Sequence, residues 1–177
     1  MTFVLGLAQC RHPENGGMEA VLEMAEQWCV EASLRGVDIL VFPESLMTRY
    51  ELDKRSFASE AESIDGPFCC GMNALAARYG LWLAYTVNER NAEGNPFNTA
   101  VITGSDGVKR GVYRKVHLFD TDFTKESDRM AAGSALFEPI DTPFGRIGLS
   151  ICYDLRFPEV ARFAATHGCQ LLINPAA

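Results

Sequence analysis

The sequence lacks several features that mark particular classes of protein. Among its 177 residues, 16 are Lys or Arg and 23 are Asp or Glu. The resulting net charge of −7 argues against nucleic acid or an anionic membrane as the main partner. No apolar run reaches the length of a membrane span, and residues 1–9 lack the basic and long apolar segments of a signal peptide. We therefore expect a cytoplasmic protein that binds neither nucleic acid nor membrane.

Metal-binding and disulfide patterns are also missing. The six cysteines contain no CxxC pair, and none stands at a Cys/His spacing typical of zinc. Cys69 and Cys70 are adjacent, which disfavours a bond between them. With no export signal, free thiols in a reducing compartment fit this pattern best. We expect no metal site, and we interpret Cys10, Cys29 and Cys169 as core residues.

Short β-rich apolar runs alternate with amphipathic helical segments along the whole chain. This alternation predicts a single α/β domain over residues 1–177. Gly80 is positioned to end the second helix, and Ser105-Asp106-Gly107 predicts a tight turn. The predicted helices are residues 18–35, 67–79 and 158–167, and the predicted strands are residues 3–9, 37–42, 81–88, 98–103, 108–116, 137–141, 147–152 and 170–174.

The sequence stops directly after its last predicted strand, at residues 174–177. A sheet of this class needs cover on both faces, and no covering helix follows the strand. We therefore expect the domain to be truncated in its second half. An uncovered sheet exposes apolar surface and an unpaired edge. On that basis the isolated chain is expected to aggregate and to be nearly inactive.

Cys152 stands at a predicted corner between a strand and a helix. The run from Ile147 to Ile151 predicts a buried strand, and the following segment predicts a helix start. Asp154 could cap that helix, and Pro158 would be tolerated in its first turn. Backbone N–H groups and the positive end of the helix dipole would favour the thiolate. The pattern predicts a nucleophile; the alternative is a small buried hydrophobic residue.

Two further ionisable residues share this location at a strand end. Glu44 follows the strand that ends near Phe42, and Lys115 closes the strand from Val108. Ligand crevices form at the carboxyl ends of strands in open α/β sheets. A carboxylate, an ammonium group and a thiol that meet there suffice for covalent acyl transfer. The alternatives are that Glu44 supports a helix N-terminus, that Lys115 is solvated, and that His117 is the partner of Cys152.

Three motifs occur in a characteristic order: FPES around Glu44, YRKVHLFD around Lys115 and GLSICYDLRFPE around Cys152. Together they resemble the signatures of the nitrilase, or carbon–nitrogen hydrolase, superfamily, and most closely those of its Nit-type amidases. Segments 64–67 and 97–100 agree with this resemblance. The resemblance implies an α-β-β-α four-layer sandwich that carries a Glu–Lys–Cys triad.

The resemblance also implies a role for each site residue. Cys152 would attack an amide carbonyl and form a thioester, while Glu44 would accept and return the proton. Lys115, together with the backbone N–H of Tyr153, would stabilise the oxyanion. Glu126 corresponds to the second glutamate that the family carries beside the lysine.

These roles predict an amidase that releases ammonia from a small, carboxylate-bearing amide, without metal or organic cofactor. Arg156 could bind a substrate carboxylate, or it could pair with Glu159 or Asp154. A true nitrilase, a catalytically silent scaffold and a Cys–His peptidase that depends on His117 remain as alternatives. The resemblance further implies a homodimer, and the apolar stripe on the helix after Cys152 could form its interface: Phe157, Val160, Ala161, Phe163 and Ala164.

Overall fold

Two β-sheets and four α-helices make up the computed structural model, which describes residues 2–13, 17–48 and 54–177. Strands β1 to β5 form one sheet in sequence order, and strands β6 to β8 form a second sheet. The strands are β1 Leu5–Leu7, β2 Ile39–Val41, β3 Trp82–Glu89, β4 Phe97–Thr103, β5 Lys109–Arg114, β6 Ile140–Thr142, β7 Gly145–Leu149 and β8 Leu171–Ile173. The helices are α1 Gly17–Leu34, α2 Lys54–Glu60, α3 Pro67–Tyr79 and α4 Pro158–Thr166.

The central strands of the larger sheet are apolar on both faces, because each face packs against another layer. In β2, Leu40 belongs to the core beneath α1 and α3, whereas Ile39 and Val41 belong to the core between the two sheets. Strand β3 alternates in the same way, with Leu83 on the helical side and Ala84 on the other. Such strands read as continuous apolar runs, which is how they appear in the sequence.

The smaller sheet supplies the other wall of the inner core and carries α4 outside it. Ile147 and Leu149 of β7 contribute to the core between the sheets. Gly148 points the other way, where an added Cβ would lie 3.7 Å from the Cβ of Ala164 in α4. The layers therefore run helix, sheet, sheet, helix. This confirms the predicted α-β-β-α sandwich over the described residues.

Both ends of α3 lie where the sequence predicts them. Pro67 takes the first helical position, where its missing N–H costs nothing. Gly80 adopts a left-handed conformation at φ 65° and donates its N–H to the carbonyl of Ala76, which ends the helix. The predicted turn at residues 105–107 is also present, and Gly107 has φ 75°.

Several strand boundaries differ from the prediction. Strand β1 covers three residues instead of seven, and β6 begins at Ile140 instead of Phe137. Propensity extends these segments, but regular pairing with a neighbouring strand defines their ends. The prediction missed α2 and a 3₁₀ turn at Glu126–Asp128, both too short to show a clear apolar period.

No helix within the described residues has the combination of length and apolar character that a bilayer crossing requires. In the same part of the chain, no group of three or more His, Cys, Asp or Glu side chains is arranged to hold a metal ion.

Candidate active site

Glu44 lies in a turn that follows β2 and is held against β3. The hydroxyl of Thr86 donates to the carbonyl oxygen of Pro43 at 3.1 Å and accepts from the backbone N–H of Leu46 at 3.1 Å. Ser45 adopts φ 56°, an uncommon conformation for a residue with a side chain. The turn directs Glu44 inward, where its side chain is fully buried. The structure shows a buried acid whose oxygens bond to side chains, which does not fit the alternative of a helix N-cap partner.

Lys115 is the first residue after β5, and its side chain is also fully buried. Its Nζ lies 2.9 Å from Oε1 of Glu44 and 2.8 Å from Oε2 of Glu126. The alternative of a solvated lysine is therefore wrong. Burial alone would lower the pKa of Lys115, but the two carboxylates outweigh burial and raise it above its ordinary value. The side chain is thus a fixed cation at neutral pH.

Glu126 begins the 3₁₀ turn, and its buried carboxylate reaches back to Lys115, just after β5. Its Oε2 accepts the backbone N–H of Phe119 at 2.6 Å, and its own N–H donates to the carbonyl of Phe119 at 3.1 Å. This reciprocal pair closes the loop between residues 119 and 126. The structure thereby brings Glu126 to Lys115, as the resemblance implies.

Asn98 joins the carboxylates of Glu44 and Glu126, and it was not among the site residues predicted from the sequence. Its Nδ2 donates to Oε1 of Glu44 at 2.8 Å and approaches Oε1 of Glu126 at 3.4 Å. Its carbonyl accepts the backbone N–H of Lys115 at 2.8 Å. The available signal was an asparagine at the second position of a strand, where that residue type is disfavoured.

Cys152 opens a five-residue 3₁₀ helix, and we call residues 151–156 the Cys152 turn. Cys152 itself adopts φ 44°, a strained conformation for a residue with a Cβ. Its backbone N–H donates to the carbonyl of Pro175 at 2.8 Å. Together with Ser45, it is one of two residues other than glycine with positive φ in the described part of the chain. Both of them border this site.

The protonation state of Cys152 differs from the expectation. Burial raises the pKa of its thiol to about 11, and the charge of Glu44 and a hydrogen bond to it act in the same direction. Lys115 and the backbone of Ala177 lower the pKa, but they do not compensate. The expected preference for thiolate is therefore wrong. It assumed a dipole from an α-helix, whereas the structure has a short 3₁₀ turn and a nearby carboxylate.

The two candidate substrate-binding residues lie within the Cys152 turn. Tyr153 is half-buried, and its ring packs edge-on against Phe119 and Phe157, with centroids at 5.1 and 5.6 Å. Arg156 is exposed. Among the ion pairs of the described residues, none joins Arg156 to Glu159 or Asp154.

His117 contacts groups other than the thiol. Its Nδ1 lies 2.8 Å from Oδ1 of Asp154, and its ring stacks on Phe157 at 3.7 Å between centroids. His117 is therefore packed between Asp154 and Phe157, and these contacts do not support the alternative in which it is the partner of Cys152.

The segment after β8 forms a further side of the site. The carbonyl of Ala176 accepts the N–H of Glu44 at 3.4 Å, and the N–H of Ala177 donates to Oε2 of Glu44 at 3.1 Å. Glu44 is consequently bonded on one oxygen by Lys115 and Asn98 and on the other by the backbone of Ala177. Its orientation is fixed from both sides.

Comparison with known proteins shows which family this chain belongs to. The carbon-nitrogen hydrolase family profile matches residues 5–177. The chain belongs to the carbon-nitrogen hydrolase family. It is 37% identical over 153 residues to omega-amidase NIT2 of Homo sapiens, covering 83% of this chain and 54% of that protein. It is 32% identical to the nitrilase and fragile histidine triad fusion protein NitFhit of Caenorhabditis elegans, covering 97% of this chain and 40% of that protein.

Solved structures of family members share the fold of this chain. A carbon-nitrogen hydrolase from Helicobacter pylori matches with a TM-score of 0.86 and 28% identity, covering 98% of this chain and 60% of that one. Nit3 of Saccharomyces cerevisiae, a nitrilase-superfamily member, matches with a TM-score of 0.84 and 29% identity, covering 98% and 64%. The chain spans about half the length of the curated relatives described above.

Proposed function

We propose that this carbon-nitrogen hydrolase chain carries the reacting groups for hydrolysis of a small amide through a cysteine thioester. The observation that carries the proposal is the position of the Lys115 ammonium group. It is buried between Glu44 and Glu126, while the carboxylate of Glu44 also contacts the thiol of Cys152. A nucleophile, its base and a fixed positive charge therefore converge at one point.

In the first step, Sγ of Cys152 attacks the carbonyl carbon of the amide as its proton passes to Glu44. Because the pKa of the thiol is raised to about 11, the resting group is a thiol, and proton removal belongs to the attack itself. The new S–C bond places negative charge on the former carbonyl oxygen. Lys115 and the backbone N–H of Tyr153 stabilise that oxyanion.

In the second half of the reaction, Glu44 passes its proton to the leaving group, and water hydrolyses the thioester. Glu44 gives its proton to the departing nitrogen, the C–N bond breaks, and ammonia leaves a thioester on Cys152. Glu44 then takes a proton from water as the water oxygen attacks the thioester carbon. The S–C bond breaks, Glu44 gives that proton to the departing sulfur, and a carboxylic acid is released.

Glu126 acts on Lys115 in this scheme. With Glu44, it outweighs the effect of burial and keeps Lys115 protonated. It also anchors Nζ through both of its oxygens, at 3.1 and 2.8 Å. Lys115 therefore remains a positioned cation while Glu44 changes its protonation.

For the substrate, we propose a small amide that also bears a carboxylate. The similarity to omega-amidase NIT2 supports an amide. The exposed guanidinium of Arg156 lies in the Cys152 turn and offers a paired donor for a carboxylate. Arg156→Lys tests this part, because it keeps the charge but loses the fork geometry. We expect KM to rise with little change in kcat for carboxylate-bearing amides, and no change for neutral amides.

Trapping of the acyl-enzyme tests the chemistry directly. Full-length protein is mixed with a dicarboxylic acid monoamide, and intact mass, ammonia and, with hydroxylamine present, hydroxamate are measured. We expect an acyl adduct on Cys152 and hydroxamate formation, both absent in Cys152→Ala and retained in Cys169→Ser. Acylation of Cys152→Ala would overturn the assignment of the nucleophile. Absence of any adduct or ammonia over a panel of amides and nitriles would favour the scaffold alternative.

A further inference from the structure

The carboxylate of Asp154 connects the two segments that carry Cys152 and Lys115. It is fully buried. Its Oδ2 accepts the backbone N–H of Ile151 at 2.9 Å and the hydroxyl of Tyr113 at 2.8 Å. Its Oδ1 accepts the backbone N–H of His117 at 3.0 Å and lies 2.8 Å from the ring Nδ1 of His117. One side chain therefore bonds to residues on both sides of the site.

On one side, these bonds close a ring around Cys152. The N–H of Asp154 donates to the carbonyl of Ile151 at 3.0 Å, while the N–H of Ile151 donates to the Asp154 carboxylate. Ile151 and Asp154 thus exchange two hydrogen bonds across Cys152 and Tyr153. This exchange offsets the strain of Cys152, whose φ is 44°.

On the other side, the bonds flank Lys115. Tyr113 and His117 are its neighbours two positions away in either direction, and both bond to Asp154. The ring of His117 is held in turn by stacking on Phe157, the residue that directly follows the Cys152 turn. Movement of one segment relative to the other would break bonds that Asp154 makes.

We infer that Asp154 is a positioning residue, which sets the separation between the Lys115 ammonium group and the thiol of Cys152 by linking their backbone segments. This inference rests on the proposed function for its effect on turnover. Asp154 touches no reacting group in the proposed steps and acts through the two segments. A displacement of about 1 Å between reacting groups can lower a rate by around 10²-fold.

Asp154→Asn is the main test, because it preserves the size of the side chain but replaces one oxygen with an amide donor. The amide cannot accept hydrogen bonds on both sides, so one segment is released. Tyr113→Phe removes the hydroxyl that donates to Asp154 and accepts the N–H of Val116 at 3.4 Å, and it serves as a milder variant because the Asp154 carboxylate remains. Glu62→Gln is the matched control, because Glu62 is a buried carboxylate that accepts the N–H groups of Phe68 and Cys69 at the start of α3.

Two measurements are made on full-length protein. The first is kcat and KM for amide hydrolysis, normalised to the folded fraction from circular dichroism. The second is the alkylation rate of Cys152 by iodoacetamide at pH 8, measured by peptide mass spectrometry with the exposed Cys70 as an internal reference. Release of the Cys152 turn frees the thiol from burial and from Glu44, so its pKa falls and more thiolate is present.

For Asp154→Asn we expect kcat to fall about 100-fold with KM changed less than about threefold, because misplacement acts on the reacting groups and not on the binding of substrate. Alkylation of Cys152 should accelerate about tenfold, since each unit of pKa changes the thiolate fraction tenfold. Tyr113→Phe should show smaller changes in the same directions, and it decides the question if Asp154→Asn does not fold. Glu62→Gln should lower Tm alone.

A purely structural role would overturn the inference. In that case Asp154→Asn and Tyr113→Phe would lower Tm as Glu62→Gln does, with normalised kcat and alkylation unchanged. If the unmodified protein hydrolyses no amide, the alkylation rate of Cys152 still tests the positioning role of Asp154, independently of the proposed function. Faster alkylation of Cys152 in Asp154→Asn would then support positioning while the proposed function fails, and unchanged alkylation would overturn both.

Discussion

The Nζ atom of Lys115 lies 2.9 Å from Oε1 of Glu44, and both side chains are completely removed from solvent. A buried ion pair is costly to form and still more costly to break, because removal of one partner leaves the other charge without compensation. Here the cation is shared with Glu126, whose Oε2 is 2.8 Å from the same Nζ. This three-residue network determines what several substitutions should do.

Lys115→Met should remove both the fixed charge and the compensation of the two carboxylates. We expect turnover to fall by at least 10²–10³-fold, the cost of losing one oxyanion contact, and unfolding free energy to fall by about 3–5 kcal/mol. Lys109→Met is the matched control, because the Lys109–Asp65 pair is partly exposed and contributes about 1 kcal/mol or less. Turnover per folded molecule and chemical denaturation provide the two measurements. Unimpaired turnover in Lys115→Met, with loss in His117→Phe, would favour the Cys–His alternative.

Glu44→Gln should change thiol reactivity and turnover in opposite directions. After burial, Glu44 is the group that raises the pKa of Cys152, which is about 11. Loss of its charge lowers that pKa, so the thiolate fraction at pH 8 and the rate of iodoacetamide alkylation rise. Amide hydrolysis should fall by about 10²–10⁴-fold, because the base is gone. Slower alkylation of Cys152 in this variant would contradict the assigned cause of the raised pKa.

Asn98→Ala should destabilise the protein and slow turnover, because the amide of Asn98 bonds to both carboxylates. A hydrogen bond to a charged group contributes about 1.5–3 kcal/mol, more than a neutral one. Asn88→Ala is the control: Asn88 pairs with Asn98 across β3 and β4, but its Nδ2 donates to the neutral hydroxyl of Thr48. We expect a loss of stability near 1 kcal/mol and unchanged kcat for Asn88→Ala. Equal kcat in Asn98→Ala and Asn88→Ala would show that Asn98 does not contribute to turnover.

Gly133→Ala should displace the strand end that carries Lys115. Gly133 donates its N–H to the carbonyl of Lys115 at 2.8 Å, and an added Cβ would lie 2.3 Å from the carbonyl oxygen of Arg114. Since that oxygen is backbone, the strand must move, at a cost of about 1–3 kcal/mol. Gly94→Ala meets no atom within 4 Å and should be neutral. Thermal unfolding and kcat of the two variants check this, and an unaffected Gly133→Ala protein would show that the contact is unimportant.

We also propose that α4 contributes to a homodimer. Val160 and Ala164 of its apolar stripe are buried, whereas Ala161 is exposed, and Leu155 of the neighbouring Cys152 turn retains 66% of its surface. Ala161→Glu should convert a dimer of the full-length protein into monomers without lowering the Tm of the monomer. Thr166→Glu, an exposed substitution outside the stripe, should leave the dimer intact. Light scattering at micromolar concentration distinguishes the outcomes, and a monomer before any substitution would refute the proposal.

Local sequence patterns were sufficient to predict much of the fold. The apolar period of α3, its first-turn proline and Gly80 define that helix from its own residues. The apolar runs of β2 and β3 indicate strands buried on both faces, and the structure shows them between two cores. These features depend on neighbours within a few positions, which a sequence displays directly. Register and strand ends depend on partners elsewhere in the chain, so β1 and β6 were placed only approximately.

The active site likewise has features that the sequence displays and features that only the tertiary structure shows. The residue types of Glu44, Lys115 and Cys152, and their positions after strands, are visible in three short motifs. Tertiary structure alone revealed that Asn98 joins Glu44 to Glu126, since that contact connects segments far apart in sequence. It also decided that Cys152 rests as a thiol. A pKa is the sum of burial, charges and hydrogen bonds from every nearby segment, whereas the motif around Cys152 contains only the local part of that sum.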